Sequence, residues 1–143
     1  MNIAAIQAVN RAISGVTNAP DGSGTYPMPS QVNSADLPIV LLFPAIMDIS
    51  AAARNEVEAI QSYDGIVLVA SQASGVGVDT STNAVWTMLD AFHSRYKTLI
   101  GTSEELAGGV VVTSYHDEGQ KKITYRGNDW LGFQIKISTW EPV

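Results

Sequence analysis

The residues with the most versatile chemistry in this chain are its two histidines, His93 and His116, and the second opens the acidic stretch His116-Asp117-Glu118. A zinc centre needs three or four ligands at set spacing, and neither histidine has a ligand three or four residues further on. A Ser-His-Asp triad would need an exposed nucleophile on a sharp turn, and no G-x-S-x-G segment occurs. The carboxylate pairs Glu56/Glu58, Glu104/Glu105 and Asp117/Glu118 are equally charged and, as loop residues, equally wet. Acid–base work needs carboxyl groups whose surroundings push their pKa values apart, so these pairs read as solvated surface. The segment Ser74-Gly-Val-Gly-Val-Asp-Thr-Ser-Thr82 has the glycines of a phosphate loop, but no lysine follows until Lys97. It lacks the Walker lysine and the third glycine of a dinucleotide fingerprint, which leaves a connection ahead of a helix. No catalytic group, cofactor or metal site is expected.

Charge and aromatic placement point to contacts instead. Lys121, Lys122 and Arg126 form a short basic segment beside the acidic stretch that runs from Glu104 and Glu105 to Asp117 and Glu118. Opposite signs on different surfaces of one subunit suit head-to-tail contacts in a ring; the competing reading is a charge-balanced hairpin. Trp86, Trp130 and Trp140 are the large surface candidates. Trp130 and Trp140 share the polar parity of the last strand, a placement that fits a buried subunit interface or local packing at a sheet rim.

The elements that must position these residues follow from pattern. Leu131, Phe133, Ile135 and Ile137 alternate with Gln134, Lys136 and Ser138, so the chain ends on a strand with a dry and a wet face. Ile3, Ile6, Val9 and Ile13 predict an amphipathic helix over 2–14, ended by Gly15. A proline-bearing loop over 17–36 leads to a continuous apolar strand near 37–43. Residues 45–61 read as helix or as irregular strand. A second apolar strand is expected at 63–71. A long helix follows over 81–100, capped by Thr80 or Ser81, with Val85, Leu89, Phe92, Tyr96 and Leu99 on one stripe. Strands near 110–115, 121–126 and 130–140 then form a meander with turns His116–Gln120 and Gly127–Asp129. The prediction is one α+β domain over 1–143: an antiparallel or mixed sheet of about five strands packed against two helices, with long loops at the ends.

With 143 residues, a net charge of −6 and no cysteine, the chain can bury one core and has neither a disulfide framework nor thiolate ligands. An acidic protein does not coat nucleic acid or an anionic membrane. The first residues lack the basic start of a signal peptide, and the apolar runs are too short to cross a bilayer. Charged residues make up only 15% of the chain, which leaves more neutral surface than usual and favours a subunit that hides surface in an assembly.

The succession of an N-terminal helix, Tyr26-Pro-Met-Pro29, Ala35-Asp-Leu-Pro-Ile-Val-Leu-Leu-Phe-Pro-Ala45, Tyr63-Asp-Gly-Ile-Val-Leu-Val-Ala-Ser71, a long helix and Tyr125-Arg-Gly-Asn-Asp-Trp-Leu-Gly-Phe-Gln-Ile-Lys-Ile-Ser-Thr-Trp-Glu141 resembles the tail terminator, or tail completion, proteins of long-tailed bacteriophages. The resemblance implies a ring, usually a hexamer, at the head-proximal end of the tail tube. Such rings stop tube polymerisation and join the tail to the head connector, and DNA passes through the lumen without specific binding. The partners implied are further copies of the chain, the tube protein and connector proteins. The place implied is the virion tail, assembled in the host cytoplasm. The family has no catalytic residues to carry over. The alternatives are another neck or connector subunit, a tail-tube subunit, or a small α+β ligand-binding module or enzyme that uses His93, Tyr96 or Tyr115 in a cleft. Tube subunits usually carry a long β-hairpin arm, which the sequence reading does not supply.

Overall fold

The computed structural model describes residues 1–71 and 78–142, the side chains of 78–81 excepted. Its elements are α1 (Ile3–Ala12), β1 (Ile39–Ala53), β2 (Glu56–Ser71), α2 (Val78–Thr102), β3 (Val111–Asp117), β4 (Lys121–Tyr125) and β5 (Asn128–Glu141), with short 3-10 turns at Ser34–Asp36 and Ala107–Gly109. All strand pairs are antiparallel and the sheet runs β1-β2-β5-β3, with β4 also on β5. The fold is therefore α+β, an open five-stranded sheet carrying two helices.

Both helices lie on one face of the sheet. Ile6 and Val9 of α1, together with Val85, Met88, Phe92, Tyr96 and Leu99 of α2, meet Val40, Leu42, Tyr63, Val67, Phe133, Ile135 and Ile137 in the main core. Apolar side chains recurring every three to four residues on the helices fit alternate residues on the strands. Phe92 meets Phe133 edge-on, with ring centroids 5.3 Å apart. A buried polar knot joins the two helices: Gln7 Nε2 donates to the carbonyls of Pro20 and Val40, Asn10 Nδ2 donates to Gln7 Oε1, and Tyr96 donates to Asn10 Oδ1. Every side-chain polar atom of Gln7, Asn10 and Tyr96 thus has a protein partner.

Glu141, also buried, closes the other end of this layer. Its Oε1 accepts from the Tyr63 hydroxyl at 2.6 Å and from the Asn2 amide at 3.1 Å. Desolvation, followed by the neighbouring Glu141 carboxylate, holds the Tyr63 phenol above its ordinary value.

The open choice over 45–61 falls to strand, and other expectations are corrected. Residues 45–61 hold the adjoining ends of β1 and β2, joined by Arg54-Asn55 with Asn55 at φ 66°. Asparagine tolerates that left-handed turn geometry, and the alanine run that suggested a helix lies flat in β1. The last three strands are not a meander. Both β3 and β4 pair with the same side of β5 and form one edge, interrupted at Glu118–Gln120, where Gly119 takes φ +73°. Helix α2 starts at Val78, so Thr80 and Ser81 stand inside it and not at its cap. The glycine-rich loop reading falls on 72–77, outside the described residues.

The second face of the sheet is not uniformly wet. At the β4 end, Val32, Ile39, Leu41, Leu68, Ile123 and Trp130 form a smaller core beneath the loop that ends at Leu37. Further along that face Gln134 and Lys136 are exposed as expected. Gly132 is required by β2 itself: a Cβ there would stand 1.8 Å from the Val67 carbonyl oxygen.

Candidate interaction surface

Strands β1 and β2 are about three times the length of β4, and their joined ends, Ser50–Ala53 and Glu56–Glu58, extend beyond the rest of the sheet. Pairing of β2 with β5 stops at Ala59 opposite Glu141, whereas β1 and β2 stay paired out to Ala53 opposite Glu56. The result is a two-stranded arm. Every residue from Phe43 through Val57 is exposed.

Register assigns each side chain of the arm to a face. Directly opposed residues share a face, so Met47 with Gln61, Ile49 with Ala59 and Ala51 with Val57 lie on the side that carries the helices. This apolar stripe extends the dry face of the sheet past its helical cover; Ile49 is 63% and Val57 53% exposed. Asp48 opposite Ile60 and Ser50 opposite Glu58 occupy the other side, which is mostly polar. Among the described residues the outer edge of β1 is paired only at its start, where Val40 donates its amide to Asn18 O.

The charged candidates fall into short-range pairs. Lys121 Nζ lies 2.7 Å from Glu118 and Lys122 Nζ lies 3.3 Å from Asp129, each within the β3–β4–β5 edge. The Lys121 ammonium holds Glu118 below the ordinary carboxylate range; Asp129 is lowered by the Thr124 hydroxyl first and by Lys122 second. Glu104 pairs with Arg95 across the end of α2, Glu105 is exposed beside Val111, and Arg126 lies against the Tyr125 ring. Exposed pairs of this kind contribute little energy, and their charges are already matched inside one subunit.

Trp130 is a correction. It is buried in the smaller core, not displayed on the sheet, because the loop from Val32 to Leu37 covers its end of the strand. Its Nε1 has no hydrogen-bond acceptor among the described residues. Trp140 is half-buried, and the tryptophan that faces solvent is Trp86 on α2, 56% exposed.

The structure brings His93 of α2 to Asp117 at the end of β3, a pairing that lies 24 residues apart in sequence. Asp117 also accepts from the Tyr115 hydroxyl at 2.9 Å and from the Gly119 amide at 3.1 Å. Tyr115 stacks on Tyr96, with centroids 4.6 Å apart. All the directed bonds of this carboxylate are internal, and His93 bonds no serine or threonine hydroxyl among the described residues, so the cluster fastens β3 to α2. Burial raises the Tyr115 and Tyr96 phenols, and Asp117 raises Tyr115 further. His116 is exposed, alongside Lys136 of β5. No group of three or more metal-binding side chains occurs among the described residues.

A cleft of about 260 Å³ lies between the end of α1 and the proline-bearing loop. That is below the ~300 Å³ at which small-molecule sites begin. Its arginine is engaged: the Arg11 guanidinium donates to Ala19 O at 2.6 Å, pairs with Asp21 and sits 3.8 Å over the Tyr26 ring. His93, Tyr96 and Tyr115 do not line it. The cleft anchors the loop.

Sequence reasoning missed the arm. Its signal was there: Met47, Ile49 and Ala51, then Val57 and Ala59, recur at period two around the turn dipeptide Arg54-Asn55. No protein-family model matches the chain, and no curated protein matches it significantly. Among the described residues no helix is long and apolar enough to cross a membrane.

Proposed function

We propose that the chain is a structural subunit that joins its own copies in a ring at the head-proximal end of a bacteriophage tail tube, ending the tube and meeting the head connector. One observation carries the reading: β1 and β2 run on as a pair past the end of β5 at 50–58, every residue from Phe43 through Val57 is exposed, and Ile49 and Val57 continue the dry face of the sheet without cover. A two-stranded hairpin is marginal by itself in water, so an arm of this length needs a partner surface. The carboxylates and histidines that could do chemistry are engaged in short-range pairs or exposed singly. That suits a part selected for shape. A negative net charge of −6 suits a lumen through which DNA slides without adhering.

Native mass measurement of the purified chain, alone and with tail-tube subunits, tests assembly. Electron microscopy of tails formed without the protein tests the role. A terminator's absence leaves overlong tails, whereas tails of normal length would refute the reading.

The same arm favours a second reading, a tail-tube subunit, because a long hairpin arm is what such subunits usually carry. Loss of a tube subunit abolishes tails altogether, so the microscopy separates the two.

A further inference from the structure

The sheet is open, so its outer strands present backbone with which a further strand could pair. Charge protects the β3–β4 edge, which carries Asp117, Glu118, Lys121 and Lys122 and is broken at Gly119. The β1 edge has little charge: from Leu42 to Ala53 the only ionised side chain is Asp48. Its protection has to come from the backbone.

Hydrogen-bond directions alternate along a strand that is paired on one side. Val40 turns its amide outward, to Asn18 O, so the outward positions that follow are Leu42 and Pro44. Leu42 is still buried, whereas Pro44 is exposed. The first outward position in the open is thus held by the residue that has no N–H to offer.

The ladder breaks immediately afterwards. Ala45 and Ile46 stand against Ser62 alone, between the pairs Pro44–Tyr63 and Met47–Gln61, which makes a β-bulge. The bulge is held from inside: the buried Gln61 side chain donates from Nε2 to Ile46 O at 3.3 Å and to Ser62 O at 2.8 Å. Outward positions resume at Met47, Ile49 and Ala51, opposite Gln61, Ala59 and Val57, and end at a second shift between Ala51 and Ala53. The straight edge that remains, Met47 to Ala51, is about 17 Å long at ~3.3 Å per residue. Two strands paired over so short a length are marginal in water.

We propose that Pro44 and the bulge held by Gln61 are a guard that keeps β1 from pairing edge to edge with another β-strand. The guard lets the arm expose Ile46, Ile49 and Val57 without becoming a template for aggregation. This inference does not rest on the ring reading, because it concerns the edge of the arm and not what its face meets.

Pro44→Thr supplies the missing amide and adds no apolar surface; Pro44→Thr with Ile46 deleted also straightens the strand. The single variant should self-associate at least tenfold more strongly than wild type in sedimentation, and the second should go on to form assemblies that bind thioflavin. Hydrogen exchange reads the site: the amides of residue 44, Met47 and Ile49 should become protected in the variant assemblies. In wild type, Met47 and Ile49 should exchange freely at every concentration. Wild-type sedimentation of Pro44→Thr with a native circular dichroism spectrum overturns the proposal, and so does association without protection at those amides. If the deletion unfolds the chain, the single substitution at an exposed site decides alone. A wild-type ring in which Met47 and Ile49 exchange freely keeps both readings; a ring that protects them keeps the ring and removes the guard.

Discussion

Tyr96 donates its hydroxyl hydrogen to Asn10 Oδ1 at 2.6 Å, joining two helices through residues 86 apart in the chain. Both residues are buried, and Asn10 in turn donates to Gln7, which holds carbonyls of the proline-bearing loop and of β1. A low local dielectric makes such a chain of bonds strong when complete and costly when one link is removed.

Tyr96→Phe should therefore destabilise the protein by about 1–3 kcal/mol, since Asn10 Oδ1 is left buried without a donor. Urea unfolding followed by circular dichroism measures this. Indistinguishable midpoints and slopes for wild type and variant would show that the bond contributes nothing net.

Gly132→Ala should prevent stable folding. The new methyl would stand 1.8 Å from the Val67 carbonyl oxygen, which is backbone and cannot rotate away. The pairing of β2 with β5 must then open. Gly119→Ala is the informative comparison: its Cβ would meet nothing within 4 Å, so only the left-handed backbone opposes it, at about 1 kcal/mol. Soluble yield and thermal unfolding should separate the two variants clearly.

Trp130→Phe should change stability by less than about 1 kcal/mol. Losing ring volume from the smaller core costs energy, but the substitution also removes the Nε1 donor that has no acceptor among the described residues, a group that costs roughly 1–3 kcal/mol when buried and unpaired. Trp130→Ala keeps only the loss and should cost about 3–5 kcal/mol. Thermal unfolding of both variants checks the pair; equal losses would mean that Nε1 is satisfied in solution.

The fold class was legible because strand alternation and helical periodicity are local signals. Phe133, Ile135 and Ile137 face the helices as their spacing required, and Val85, Phe92, Tyr96 and Leu99 form the predicted stripe. What was not legible depended on distant chain. Parity alone placed Trp130 on a wet face, but the loop before β1 covers that end of the sheet. Residues 45–61 were ambiguous because alanines favour helix and everything from Ala45 to Val57 is exposed; pairing between the two halves decides the matter. The contact of His93 with Asp117 required knowing that α2 lies along β3. Lys121, Lys122 and Arg126 looked like a patch in sequence, yet each finds a neighbour on its own edge.

Alkaline pH should unfold the protein earlier than its carboxylates and lysines alone would suggest. Desolvation raises the Tyr63, Tyr96 and Tyr115 phenols, with Glu141 adding to the first and Asp117 to the third. In the unfolded chain these phenols lose their protons near pH 10. Above that pH the unfolded state binds fewer protons than the folded state, so stability is full below about pH 10 and falls as pH rises further. The sign is opposite for Asp21, Glu118 and Asp129, which are lowered and lose their small contribution as pH falls through their folded values. Urea midpoints at pH 8, 9.5 and 11, with phenolate absorbance recorded in the folded baseline, test the alkaline limb. A steady midpoint to pH 11 with phenols titrating normally in the folded protein would mean that the three rings are open to water.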